Sequence, residues 1–123
     1  SIPLKYLESV GYDRNVVILT QPMGYEKKKN KALPLMKAAY SQYPDLLKTM
    51  ARRQDVYNET TAYIREKERR GEVFVIRPEA VLKIKRVEHD RAKIQAVYDQ
   101  GRAVARKRLS ALREFLQKEG KAT

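Results

Sequence analysis

The run Val16-Val17-Ile18-Leu19 limits this chain more than any other feature: four apolar residues in succession, three of them β-branched, between Asn15 and Thr20. Residues of this kind favour a strand, which we expect over Asn15–Thr20. Because the run is apolar on both faces, it belongs inside a sheet covered on two sides, usually a parallel one. The chain offers one other good strand, Glu72-Val73-Phe74-Val75-Ile76, after the Arg70-Gly71 turn. Two short strands do not fill the edges and faces that Val16–Leu19 implies. We therefore expect a core strand whose sheet continues outside this chain. The alternative is that the two strands pair with each other in a small α+β domain. The first residue is Ser rather than Met, and we expect the natural N-terminus to lie upstream, with room there for a leader.

Helical patterning dominates the remainder. Ser1-Ile2-Pro3 before Leu4, Tyr6-Leu7 and Val10 reads as a short helix, with Ser1 or Ile2 at its cap and Gly11 just past its end. Gln21 to Lys31 is a connection bearing Pro22, Gly24 and three successive lysines. Leu33, Leu35, Met36, Ala39 and Tyr40 then have the spacing of a helix with one buried face. Tyr43-Pro44-Asp45 restarts a helix that runs to Arg69 or Arg70, with Leu46, Leu47, Met50, Tyr57, Thr61 and Ile64 inward and Gly71 as its stop. Arg77-Pro78 breaks the chain, and Val81, Ile84 and Val87 suggest a short extended piece. Asp90 is a good N-cap for a helix with Ile94, Val97 and Tyr98 inward. Gly101 either ends that helix or sits within a longer one carrying Ala103, Val104, Leu109, Leu112, Phe115 and Leu116, fading at Gly120.

A catalytic constellation is hard to assemble from these residues. Without Cys there is no thiolate nucleophile, disulfide or sulfur-ligated zinc. His89, between Glu88 and Asp90, has the setting of a surface or capping residue. One His and no Cys leave no conventional metal site. The glycines at 11, 24, 71, 101 and 120 are too scattered to cradle a phosphate. We assign no catalytic, cofactor-binding or metal-binding residue. The best-defined polar cluster is Arg53, Tyr57 and Asn58. Arg53 and Tyr57 share a helix face, and Asn58 is unfavourable in mid-helix unless its side chain clamps a neighbouring segment. We read the three as a structural latch; an anion or substrate site is the other reading.

Charge narrows the partners. Twenty-seven Lys and Arg against fifteen Asp and Glu leave +12, concentrated in Lys27–Lys31 and in the last third. Such an excess suits an anionic surface. Acidic residues interleave with the basic ones, and no aromatic stacking platform or known motif accompanies them, so no nucleic acid partner is expected.

Taken in order, these features resemble the end of bacterial patatin-like phospholipases. Ser1-Ile2-Pro3 matches the helix start that follows the catalytic Asp-Gly-Gly of that family. Gly11-Tyr12-Asp13, the Val16–Thr20 strand, Gln21 and Pro22 match its next turn and strand. Gly24-Tyr25, Tyr43-Pro44, Arg53, Tyr57-Asn58, Phe74-Val75-Ile76-Arg77-Pro78, Arg86, Asp90 and Tyr98 with Gly101 continue the series. Gln21 departs from it, since many members carry Arg before the Pro, and the ending from Arg106 is weakly constrained. The resemblance implies a three-layer α/β core hydrolysing lipid esters through a Ser–Asp dyad and a Gly-rich oxyanion loop. All of these would lie upstream of Ser1, so no catalytic residue of the family maps onto this chain.

The sequence thus leads to a mostly α chain with few strands, α+β in itself: the C-terminal fragment of a three-layer α/β patatin-like fold plus a helical accessory region. Residues 1–23 would be the last helix–strand segment of the core, and 24–123 a basic helical accessory region with one short strand near 72–76. The expected partner is the upstream catalytic domain, with an anionic membrane surface second and a cytoplasmic, membrane-associated location. The competing reading is a free-standing basic helical module for an anionic membrane or nucleic acid.

Overall fold

The computed structural model describes residues 2–118, in the order α1 (Leu4–Ser9), β1 (Asn15–Ile18), α2 (Leu33–Ala39), α3 (Pro44–Arg69), β2 (Val73–Ile76) and α4 (Arg91–Gln117). The chain is mostly helical, with one two-stranded sheet. Ser1, a candidate cap, and Gly120, where the last helix was expected to fade, lie outside the described residues. The chain divides into two compact units. One is Glu26–Glu66, which also takes Ile2; the other joins Pro3–Tyr25 to the chain from Lys67 onward.

In the second unit β1 and β2 pair in parallel, with Val16 opposite Phe74 and Val17 opposite Val75. The two apolar runs therefore do pair with each other. The ladder extends one step past β1, as Leu19 N donates to Ile76 O at 2.8 Å. Strand β2 is buried at Val73, Phe74 and Val75, whereas β1 alternates: Asn15 and Val17 are buried, Val16 and Ile18 exposed. Register puts Val16 and Ile18 on the same face as Phe74 and Ile76. The C-terminal half of α4 covers that face at β2, through Phe115 against Phe74. It leaves the β1 side uncovered, with Ile18 74% exposed.

Two glycines close helices as their positions predicted. Gly71 has φ 73° and Gly11 has φ 101°, a backbone region that side chains with a Cβ rarely adopt. Past α3, Gly71 N donates to Glu68 O and Glu72 N to Lys67 O; past α1, Gly11 N donates to Glu8 O and Tyr12 N to Leu7 O. Each pair satisfies carbonyls that a helix end leaves without partners. At the start of α4, Asp90 accepts from the backbone N–H of Ala92 and of Lys93. Gly101 lies inside that single helix, which carries no break there.

Several expectations on packing fail. Helix α2 buries no residue, and Leu35 and Tyr40 are exposed, because seven residues make barely two turns and only Leu33 and Met36 turn partly inward. In α3 Leu46 is exposed; Leu47, Met50, Tyr57 and Thr61 are half-buried, and Ile64 is fully buried. Val81, Ile84 and Val87 form no strand and are exposed, in an irregular stretch that offers no ladder partner. Ile94 and Tyr98 are exposed rather than inward. Helix α4 is about 40 Å long, while the four-residue strand it packs against spans only about 13 Å, so its first turns extend past β2. Leu109 and Leu116 are also exposed. The buried side of α4 runs through Val104, Ala105, Arg108, Ala111, Leu112 and Phe115.

Candidate functional site

Asn58 is half-buried in the middle of α3, where its backbone is already committed to the helix and its side-chain amide needs outside partners. It finds them on one residue. Its Oδ1 accepts from the backbone N–H of Lys27 at 2.8 Å, and its Nδ2 donates to the Lys27 carbonyl at 3.1 Å. The side chain thus stands in for a neighbouring strand and pins the lysine-rich connection to α3. Tyr57 supports the same point from the other side, with the Lys27 ammonium 5.4 Å from its ring centroid, within reach of the ring's negative face. Thr61 donates from its hydroxyl to Asn58 O at 3.0 Å. Arg53 lies a turn earlier on the same helix, exposed to solvent. Of the three residues singled out in the sequence, two converge on Lys27 and the third faces outward.

The second unit is held by cations set against backbone oxygens and ring faces. Arg108 lies with its guanidinium carbon 4.4 Å from the Phe74 ring centroid and donates to Val75 O at 3.2 Å. Phe74 and Phe115 meet with centroids 5.8 Å apart at an interplanar angle of 40°, within the range of favourable aromatic pairs. A shallow pocket runs along this cluster between Gly71, Val73, Ala111 and Phe115. Arg108, half-buried in its lining, is already engaged by the sheet. Arg14 donates to the Leu116 carbonyl at the C-terminal end of α4, where a cation meets the negative end of the helix dipole. Arg77 pairs with Glu68 at 2.6 Å, and Lys67 bridges Glu8 at 3.1 Å and Glu72 at 2.8 Å.

Little in the sequence marks these cations as braces. Arg108 did leave a signal, a charged residue on the apolar stripe of α4, one turn from Val104 and from Leu112. Arg14 left none, because its partner Leu116 is 102 residues away; Arg77 meets Glu68 only once the Gly71 turn folds β2 back along α3.

His89 is exposed, and its backbone N–H donates to Glu88 Oε1 at 3.1 Å. Glu88 also accepts from the backbone N–H of Asp90 at 3.1 Å. That bond, ahead of a weaker contribution from Lys93, holds the Glu88 carboxyl below its ordinary range. Among the described residues no three His, Cys, Asp or Glu side chains gather as metal ligands, and no helix is long and apolar enough to cross a membrane.

The geometry is that of a scaffold: a backbone clamp in one unit and a cation-braced aromatic cluster in the other. No curated protein and no solved structure matches the chain. Residues 43–117, from the start of α3 to the end of α4, match the family described as Domain of unknown function (DUF6363). With more than half of its 123 residues inside that match, the chain belongs to the DUF6363 family.

Proposed function

We propose that this chain is the C-terminal accessory part of a patatin-like serine acyl hydrolase. Residues 1–23 form the last helix–strand segment of the catalytic core, and the remainder is a helical region that braces it. The Ser–Asp dyad lies upstream, and the chain alone does not catalyse. The parent acts on lipid esters in the cytoplasm, in association with the membrane.

One observation carries this reading. The family match spans α3, β2 and α4 but only one strand, and that strand pairs in parallel with β1 from outside the match. A lone strand with two helices cannot satisfy its own backbone, so the matched segment needs a strand from what precedes it. Strand β1 supplies that strand, and it presents Val16 and Ile18 to solvent on the face where α4 covers only β2. A half-covered apolar strand in a parallel pair is what the end of a larger α/β sheet leaves when cut from its layers. The series of motifs from Ser1-Ile2-Pro3 to Tyr98 and Gly101 supplies the family.

The test is reconstitution. The purified chain is expected to show no hydrolysis of short acyl esters. The same chain joined to its natural upstream sequence is expected to hydrolyse them, and Asn58→Ala should lower the thermal stability of the joined protein without changing its ester preference. Ester hydrolysis by the chain alone, or an upstream sequence with no serine hydrolase activity, would overturn the proposal.

A further inference from the structure

The first three turns of α4 are built like a packing helix, and yet Ile94 and Tyr98 on them are exposed. Ile94, Val97, Tyr98, Gly101 and Ala105 follow the 3- and 4-residue spacing of one face. That face continues directly into the stripe that ends at Phe115 on β2. Beyond the strand it stands open, with Ile94 46% and Tyr98 55% exposed. Arg91 and Arg102 flank it on one side and Lys93 on the other. Arg102 lies over the Tyr98 ring, 5.8 Å from its centroid, and donates to its hydroxyl at 3.1 Å.

The segment before α4 is also exposed and carries both apolar and basic residues. Glu79 pairs with Lys107 at 3.1 Å, and Asp90 caps the helix. Between these two points the chain must retrace the roughly 24 Å of α4 from Lys107 back to Arg91. It does so without regular structure, exposing Val81, Ile84 and Val87 among Lys83, Lys85 and Arg86.

We propose that this open face of the first turns of α4 is a docking surface for an anionic lipid bilayer. Charge decides between the occupants. A second copy would bring the same cations against themselves, on a chain already at +12. A phosphate backbone would use the cations but gain nothing from the exposed Ile94 between them. A bilayer interface uses both: apolar side chains and the Tyr98 ring enter the headgroup boundary, while Lys and Arg heads remain at the phosphates. The proposal deepens the membrane association in the hydrolase reading, but it is tested apart from hydrolysis, because membrane binding requires no turnover.

Vesicle sedimentation of the full chain tests it, with mixed phosphatidylcholine–phosphatidylserine vesicles compared with phosphatidylcholine alone. The chain should partition onto the anionic vesicles and dissociate as salt is raised. Two double variants on exposed positions, Ile94→Ser with Tyr98→Ser and Lys93→Glu with Arg102→Glu, should each lower the partition by about tenfold or more. Both should keep the helical circular dichroism of the parent. Lys28→Glu with Lys29→Glu, in the other basic cluster, should leave the partition unchanged. Equal binding to uncharged vesicles, an unaffected Ile94/Tyr98 variant, an equal loss from the Lys28/Lys29 variant, or tighter binding to a DNA duplex would each overturn the proposal. Absent ester hydrolysis would bear on the hydrolase reading alone.

Discussion

Replacing Phe115 by Ala would test the packing that joins α4 to the sheet. Phe115 is 8% exposed, and its ring lies 5.8 Å from that of Phe74, itself 7% exposed. Truncating a buried Phe to Ala costs about 3–5 kcal/mol, part lost transfer energy and part the cavity left behind. The neighbouring pocket lets the site relax somewhat, so we place the loss near the lower end, about 3 kcal/mol. For a domain of ordinary stability, about 5–15 kcal/mol, that is a large fraction of the whole. Urea denaturation followed by far-ultraviolet circular dichroism reads it directly, since most of the signal is helical. Phe115→Leu, which keeps most of the volume, should cost less than half as much. Combining Phe115→Ala with Phe74→Ala should show a coupling of about 0.5–1.5 kcal/mol, the aromatic pair's own share. A loss below about 1 kcal/mol for Phe115→Ala, or strict additivity with Phe74→Ala, would refute the view that this ring pair anchors α4.

Asn58→Ala removes both bonds to Lys27 and should cost about 1–3 kcal/mol, with faster amide exchange at Lys27 as the local signature. Asn58→Asp keeps an acceptor for the Lys27 N–H but loses the donor to its carbonyl, so its effect should fall between those of Asn and Ala. Gly71→Ala forces a Cβ into φ 73° and should cost about 1–2 kcal/mol, although open space surrounds the position. Gly71→Asn should recover part of that, in the same denaturation assay. For Glu88 the sign follows from its lowered pKa: the folded state binds the proton less readily than the unfolded chain. Its contribution is therefore complete above the ordinary carboxylate pKa and disappears as pH falls through the lowered one. Glu88→Gln should remove that acid-side dependence, seen at about pH 4 and below as loss of amide protection at Asp90.

Three helix ends were the most legible part of the sequence, because each of these depends on one residue with a special local role. Asp90, Gly11 and Gly71 could be placed without knowing anything distant. The strands were nearly as clear; Val73–Ile76 was placed within a residue, and Asn15–Thr20 proved two residues shorter. What periodicity could not supply was the partner of each apolar face. The stripe of α4 repeats evenly from Ile94 to Phe115, yet only its second half meets β2, since the strand is too short to cover the helix. Leu35 and Tyr40 failed for a similar reason, being on a helix too short to present a wide face. Asn58 stood out because an amide in mid-helix needs an explanation, while its partner Lys27 lay hidden in a connection. Arg14 and Arg77 were illegible because a cation's value depends on carbonyls and carboxylates that only the folded chain brings near.

The parallel pairing of β1 with β2 also sets a timetable. Each rung joins residues far apart in the chain, Asn15 with Val73 and Ile18 with Ile76. No hairpin can form this pair early, and closing so long a loop must precede any gain from the ladder. During synthesis at roughly 5–20 residues per second, β1 leaves the ribosome several seconds before β2 exists. Throughout that interval Val16–Leu19 has an open edge where β2 will later bind, the kind of segment that recruits strands from other chains. A nascent chain stalled before Val73 therefore keeps this edge unpaired, and completing β2 is the step that closes it.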